Sequence, residues 1–194
     1  MDEGNFLALL FRMKNIKRWG LMYNTRSENL AEHSLECAFV AHALAVIGNT
    51  RFSKQYDPEK IATSAMFHDV SEIITGDLPT PVKYFNDDIK TAYKKIEKTA
   101  ESSMLSLLDD LSRPYYLALT NPGAEEHIII KAADKLCAYI KCRLELSRGN
   151  PEFESAAQYI RKNIDTMDCC ELQYFMDHYF DSFIKSIDEL SVSL

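Results

Sequence analysis

The stretch Ala65-Met66-Phe67-His68-Asp69-Val70-Ser71-Glu72 places an imidazole and two carboxylates, with no cation among them, on a segment otherwise patterned as the core face of a helix. Asp57-Pro58-Glu59 opens that helix, with Asp as cap and Pro at the first helical position, and Gly76 is the predicted stop. At about 3.6 residues per turn, His68 and Asp69 each share a face with Glu72, and Ile61 and Ala65 continue the stripe. Charged groups on a core-facing stripe need partners or a metal ion. The stretch therefore predicts the polar floor of a cleft inside a helical core.

The remaining chain repeats the helical period. Phe6, Leu9, Leu10, Met13 and Ile16 predict a first helix from Asn5 to Ile16, and Lys17 to Ser27, without a period, predicts a loop carrying Arg18 beside the only Trp, Trp19. Asn29 with Glu32 forms a capping-box signature for a second helix. Its expected core stripe is Leu35, Ala38, Phe39, His42, Ala45 and Val46, its expected stop Gly48-Asn49, and His33 lies in its first turn. Asp77-Leu78-Pro79-Thr80-Pro81 predicts a stiff wall, with Leu78 and Thr80 held extended by the prolines that follow them. Further helices are expected from Asp88 to about Leu108, in a short piece before Asn121-Pro122-Gly123, and from Glu125 to Arg148. The last of these has the apolar face Ile128, Ile129, Ala132, Ala133, Leu136, Tyr139 and Ile140, with Asp134 at its edge. Two final helices are read to Met167 and from Asp168 to Leu190. No stretch reads as a strand, so the fold class is all-α, a helical bundle in a single domain spanning 1–194.

Composition narrows the function. A length of 194 residues suits one well-cored domain. A net charge of -7, from 22 Lys+Arg against 29 Asp+Glu, gives no basic footprint for a nucleic-acid polymer or an anionic membrane. No apolar run is read as approaching the roughly 20 residues of a membrane span. Five cysteines without CxxC spacing, and no leader-like segment, predict a reducing, cytoplasmic setting.

Two His and two Asp, His33, His68, Asp69 and Asp134, stand on segments far apart in sequence and meet only if the fold brings them together. Two imidazole nitrogens with two carboxylate oxygens suit Mn(II), Co(II), Fe(II) or Zn(II) and leave room for substrate. A metal there lowers the pKa of water and polarises a phosphoryl oxygen, with Glu72 nearby to move a proton. His42 reads as a packed core residue, His127 and His178 as solvent or capping residues, and Cys137 and Cys142 as small hydrophobes. Lys83 is either a phosphate contact or a solvated charge. Tyr174, Phe175, Tyr179, Phe180 and Phe183 read as core or as a dimer face.

His33, then His68-Asp69, then Asp134 resembles the H...HD...D signature of the HD-domain phosphohydrolases. Arg18-Trp19, Glu28-Asn29 with Glu32-His33-Ser34, His68-Asp69-Val70-Ser71-Glu72, Thr75-Gly76-Asp77-Leu78-Pro79-Thr80-Pro81-Val82-Lys83-Tyr84-Phe85 and Lys131-Ala132-Ala133-Asp134 are similar to the bacterial YfbR-like 5′-deoxynucleotidases. That resemblance implies an all-α homodimer that hydrolyses 2′-deoxyribonucleoside 5′-monophosphates to deoxynucleoside and phosphate with one divalent ion, Co2+ or Mn2+ favoured and Zn2+ or Fe2+ also compatible. It makes His33, His68, Asp69 and Asp134 metal ligands and Glu72, Arg18 and Asp77 catalytic. Arg18, Trp19, His33, Asp69, Asp77, Leu78, Pro79, Thr80 and Asp134 become substrate contacts. The competing readings are another HD-type reaction, on cyclic nucleotides, nucleoside triphosphates or alarmones, and a non-catalytic nucleotide-sensing module.

Overall fold

The computed structural model describes residues 4–83 and 85–190, with the side chain of Thr80 outside that description, as is Tyr84 of the Thr75–Phe85 motif. The chain folds as α1 (Gly4–Leu10), α2 (Leu30–Arg51), α3 (Pro58–Met66), α4 (Glu72–Thr75), α5 (Thr80–Lys83), α6 (Asp87–Leu105), α7 (Arg113–Thr120), α8 (Ala124–Ser147), α9 (Glu154–Asp165) and α10 (Cys170–His178). Among the described residues no strand forms. The one β-type contact is an isolated antiparallel bridge between Lys17 and Asn29.

Helix α2 is the axis of the bundle. It packs on α3, α8 and α10, and its first turn closes the expected capping box, Asn29 accepting from Ala31 and Glu32 while the Glu32 side chain accepts from the Asn29 amide. Its buried face is Cys37, Ala38, Val40, Ala41, Leu44, Ala45 and Ile47. The predicted stripe is therefore corrected: Leu35, Phe39, His42 and Val46 face outward, with Phe39 67 % exposed. Apolar side chains run all round this helix, so period alone does not select a face, and the small residues let α3 and α8 approach closely. The predicted stop is also corrected, since α2 runs on to Arg51. Gly48 serves a close approach instead, because a Cβ there would lie 2.6 Å from the Tyr56 ring. With 22 residues and a mean hydropathy of 1.4 over its best window, α2 is long and apolar enough to cross a membrane by those measures, contrary to the sequence reading, yet more than half of that window is buried in the protein.

The helix predicted to run from Pro58 to Gly76 is broken in the middle. α3 ends at Met66, residues 67–71 form tight turns through Val70 N–Phe67 O (3.1 Å) and Glu72 N–Asp69 O (2.9 Å), and α4 restarts at Glu72. His68, Asp69 and Glu72 thus do not share one helical face. Successive turns let the adjacent His68 and Asp69 both point inward, where a regular helix would set neighbours about 100° apart. Gly76, at φ 72°, ends α4 in a conformation that L side chains rarely adopt.

Smaller corrections follow the same logic. The N-terminal helix gives way to a 3₁₀ segment at Phe11, with Asn5 inside α1 rather than capping it. The sequence had Thr80 extended, but it opens α5, where Pro81 falls in a first turn that needs no amide donor. In α8 every residue of the predicted apolar face is buried except Ile128, which is 42 % exposed. The final helix stops at His178, because Phe180 turns inward to stack on Tyr139 with ring centroids 4.9 Å apart. Of that aromatic stripe Phe175 and Phe180 are core, while Tyr179 and Phe183 stay partly exposed.

Candidate metal centre

Each side chain reaches the centre for a local reason. The Lys17–Asn29 bridge, with Arg18 N donating to Glu28 O (3.0 Å) and Leu30 N to Ile16 O (2.9 Å), folds the 17–29 loop back on itself and fixes Arg18 beside Glu28. The capped first turn of α2 presents His33, fully buried. The turns after α3 present His68 and Asp69, and the middle of α8 presents Asp134.

There the four residues meet. His33 Nε2 lies 3.1 Å from Asp134 Oδ1 and 3.8 Å from Asp69 Oδ2, and His68 Nε2 lies 3.0 Å from Asp69 Oδ2 and 4.0 Å from Asp134 Oδ1. Both imidazoles are oriented from behind. His68 Nδ1 is 2.7 Å from the Ala65 carbonyl, and His33 Nδ1 is 3.4 Å from Glu28 Oε1. A ring whose Nδ1–H is held by an oxygen offers the Nε2 lone pair, the arrangement of metal-binding histidines. His68 Nε2 is buried and has no hydrogen-bond partner of acceptable geometry. That orphaned nitrogen, facing two carboxylates and a second imidazole, fits a borderline divalent cation.

Electrostatics agree. Burial opposes the charges of Asp69 and Asp134, but His68 outweighs it for Asp69 and His33 for Asp134, so both carboxyls sit below the usual range. Burial likewise opposes protonation of His68, yet Asp69, then Asp134, push it up to about 9. The two carboxylates thus favour positive charge at this point, a demand that a divalent cation also meets.

Arg18 binds Glu28 through Nε (3.0 Å) and approaches Asp69 through a terminal nitrogen (3.6 Å). Burial is outweighed by Asp134, Asp69, Glu28 and Asp77, which keep the guanidinium charged. Glu72 is buried with Oε2 unpartnered, and burial, then Asp69 and Asp77, push its carboxyl up to about 9. Asp77 is raised as well, chiefly by partial burial, with Arg18 opposing. Leu78 and Pro79 are half-buried beside it.

Trp19 stands apart from this cluster. Its backbone is left-handed, φ 56°, a strained state for a bulky residue. The turn is held by Met22 N and Asn24 Nδ2 on its carbonyl (3.0 and 3.1 Å). Its ring packs on Phe153 at 5.3 Å, leaving Nε1 buried without a partner.

Sequence reasoning passed over two residues. Glu28 links Arg18 and His33, and its place in the Glu28-Asn29 block was its only signal. Cys37, one turn below His33, has a donor atom within 4.8 Å of those of His33, His68 and Asp134. Its Sγ, however, lies 3.4 Å from Nε2 and 3.8 Å from Nδ1 of His33. Such similar distances put the sulfur beside the ring rather than along the Nε2 lone pair, so it packs against the imidazole. The set-aside residues behave as expected: His127 and His178 are exposed, and Cys137 and Cys142 are buried. His42 is exposed rather than packed.

An all-α bundle with two His and two Asp gathered around one point, an HD pair in a helix break among them, has the fold of the HD-domain phosphohydrolases. An HD-domain phosphohydrolase from Listeria innocua superposes with TM-score 0.83 at 20% identity, covering 96% of this chain and 92% of its own. The cyanophage S-2L HD phosphohydrolase DatZ, bound to dA and one catalytic Zn2+ ion, superposes with TM-score 0.64 at 20% identity, over 91% and 95% of the two chains. Residues 5–183 match the family described as 5′-deoxynucleotidase YfbR-like, and the chain belongs to that family. It is 47% identical to a 5′-deoxynucleotidase of Pectobacterium atrosepticum, over 98% of both chains, and 48% identical to 5′-deoxynucleotidase YfbR of Salmonella paratyphi B, again over 98% of both.

Proposed function

We propose that this chain is a metal-dependent 5′-deoxynucleotidase, which hydrolyses 2′-deoxyribonucleoside 5′-monophosphates to deoxynucleoside and phosphate. The observation that carries the reading is the convergence of His33, His68, Asp69 and Asp134 with Arg18 and the buried Glu72 beside them. Near-full-length identity to relatives named for this activity supports the substrate class.

His33, His68, Asp69 and Asp134 would hold one divalent ion, Co2+ or Mn2+ in preference to Zn2+ or Fe2+. When bound, the ion lowers the pKa of water and polarises a phosphoryl oxygen. The protein's own groups do the rest. Arg18 keeps donors free beyond those turned to Glu28 and Asp69, and a planar guanidinium suits a phosphoryl group. Glu72, with its buried and unpartnered Oε2, moves the proton: as the oxygen of water bonds to phosphorus and the P–O5′ bond breaks, it passes the water's proton to the 5′-oxygen of the departing nucleoside. Asp77 with Leu78, Pro79 and Thr80 is assigned the sugar-side wall, and Trp19, next to Arg18 in the chain, a separate substrate contact.

The assembly is read as a homodimer, supported by the outward apolar residues Leu35, Phe39 and Val46 of α2. A cytoplasmic site is supported by five free cysteines, and a net charge of -7 argues against nucleic-acid polymers and anionic membranes as partners. The test is phosphate release from a panel of deoxy- and ribonucleoside monophosphates, cyclic nucleotides and triphosphates, before and after chelation. Release confined to monophosphates, lost on chelation and restored by Co2+ or Mn2+, is expected; release that survives chelation refutes the metal site.

A further inference from the structure

Beyond the inner pocket the cleft continues outward as a space of about 350 Å³, with His68 and Asp69 on one wall and Lys94, Glu97, Lys98 and Glu101 of α6 on the other. These four α6 residues recur at i, i+3, i+4 and i+7, one face of a helix, and span about 10 Å along its axis. That is close to the length of a nucleoside monophosphate.

The charges on this wall are unevenly committed. Glu97 is taken by Lys83 at 2.6 Å, and Glu101 accepts from the Asn121 side chain at 2.9 Å. Lys94 and Lys98 are exposed, and among the described residues neither enters an ion pair. The inner pocket needs such cations. Its one arginine faces four carboxylates, Asp134, Asp69, Glu28 and Asp77, so even with a divalent ion the pocket stays net negative, on a chain of charge -7. A phosphate dianion approaching that pocket meets repulsion unless positive charge lines its path.

We infer that Lys94 and Lys98 form an outer phosphate-binding wall, which captures the phosphoryl group of the incoming nucleotide and passes it to the inner site. The assignment rests on the phosphohydrolase reading above. It gives the two lysines a role in substrate capture and none in bond cleavage. Their effect is on KM and on the dependence of rate on salt, because exposed charges act at range and are screened.

The test is the double variant Lys94→Ala/Lys98→Ala beside a Lys94→Arg/Lys98→Arg control and Lys95→Ala, which lies on the same helix off this face. With dAMP, the alanine pair is expected to raise KM about tenfold with kcat little changed, and to flatten the fall of kcat/KM with ionic strength. The arginine pair and Lys95→Ala should match the unmutated enzyme. Calorimetric titration of the metal-loaded protein with inorganic phosphate supplies a second readout independent of turnover, and the alanine pair should bind phosphate more weakly by a similar factor. Unchanged KM, salt dependence and phosphate affinity overturn the wall, and a fall confined to kcat does so too. A protein that cleaves no monophosphate yet loses phosphate affinity in the alanine pair keeps the wall and refutes the substrate reading instead.

Discussion

Glu28 Oε1 stands 3.4 Å from His33 Nδ1, so a carboxylate of the preceding loop sets the tautomer of a ring whose other nitrogen faces Asp134 at 3.1 Å. The same oxygen accepts from Arg18 Nε at 3.0 Å. One buried carboxylate therefore aims both the imidazole and the guanidinium. Burial opposes its ionisation, but His33, then Arg18, hold it below the usual range.

Glu28→Gln keeps the shape and removes the charge that orients His33. The expected result is a divalent-metal affinity about 10–100-fold weaker, with activity falling in parallel unless metal is supplied in excess. Calorimetric metal titration of both proteins checks it, and equal affinities would remove Glu28 from this role.

Glu72 is assigned to proton transfer rather than ligation. Glu72→Gln should keep bound metal and lose turnover by about 10²–10⁴. His33→Ala and Asp69→Ala should lose metal and activity together. The readouts are metal content by elemental analysis and kcat on the same samples, and metal loss in Glu72→Gln would make Glu72 a ligand.

The four candidate ligands stood out in sequence through their resemblance to the H...HD...D pattern, and the fold brings His33, His68, Asp69 and Asp134 together at 3.0–4.0 Å. The helix break at residues 67–71 was not. Ala65 to Glu72 contains neither Pro nor Gly, and nothing in its period marks the tight turns that let His68 and Asp69 both face inward. The core face of α2 was misjudged for the opposite reason, an excess of signal: Leu35 and Phe39 are larger than Ala38, Ala41 and Ala45, yet close helix packing favours the small residues. Glu28 was invisible as a partner of His33 because its bond depends on the loop folding back at Lys17 and Asn29.

Glu145 ties that loop to α8. It is fully buried, and its carboxylate accepts from Thr25 N (2.8 Å), Arg26 N (3.3 Å), Asn150 Nδ2 (2.9 Å) and Lys141 Nζ. Burial opposes its charge, but Lys141, Asn150 and Thr25 outweigh burial and depress the folded pKa below the ordinary 4.5. A carboxyl depressed on folding contributes stability that is full above its unfolded pKa and is lost as pH falls through the folded value. Glu145→Ala leaves Lys141 buried without its ion partner, an expected loss of about 3–5 kcal/mol at neutral pH. Glu145→Gln should flatten the decline of unfolding free energy below about pH 4.5. Denaturant titrations across pH test both, and an unchanged slope in the Gln variant refutes the linkage.

The sugar is the last point of selectivity. Trp19 is held in a left-handed conformation that costs about 1–3 kcal/mol, stabilised by the bonds to its carbonyl and by the Phe153 ring, so its indole is preset rather than adaptable. Its Nε1–H is buried and unpartnered, which leaves the ring face as the part of the indole that can crowd a sugar. Pro79 stiffens the Asp77–Pro79 segment. Two such rigid elements beside the sugar would reject an added 2′-hydroxyl by clash and by leaving it unpaired. A deoxynucleoside 5′-monophosphate is expected to be cleaved at least about tenfold better than its ribonucleotide, a difference of about 1.4 kcal/mol, with weak dependence on the base. Trp19→Ala should narrow the ratio chiefly by admitting ribonucleotides. Measuring kcat/KM for dAMP, AMP, dGMP and GMP on both proteins decides it, since equal deoxy and ribo values on the unmutated enzyme would falsify the wall, and a Trp19→Ala ratio that stays the same would assign the discrimination to the Asp77–Pro79 side alone.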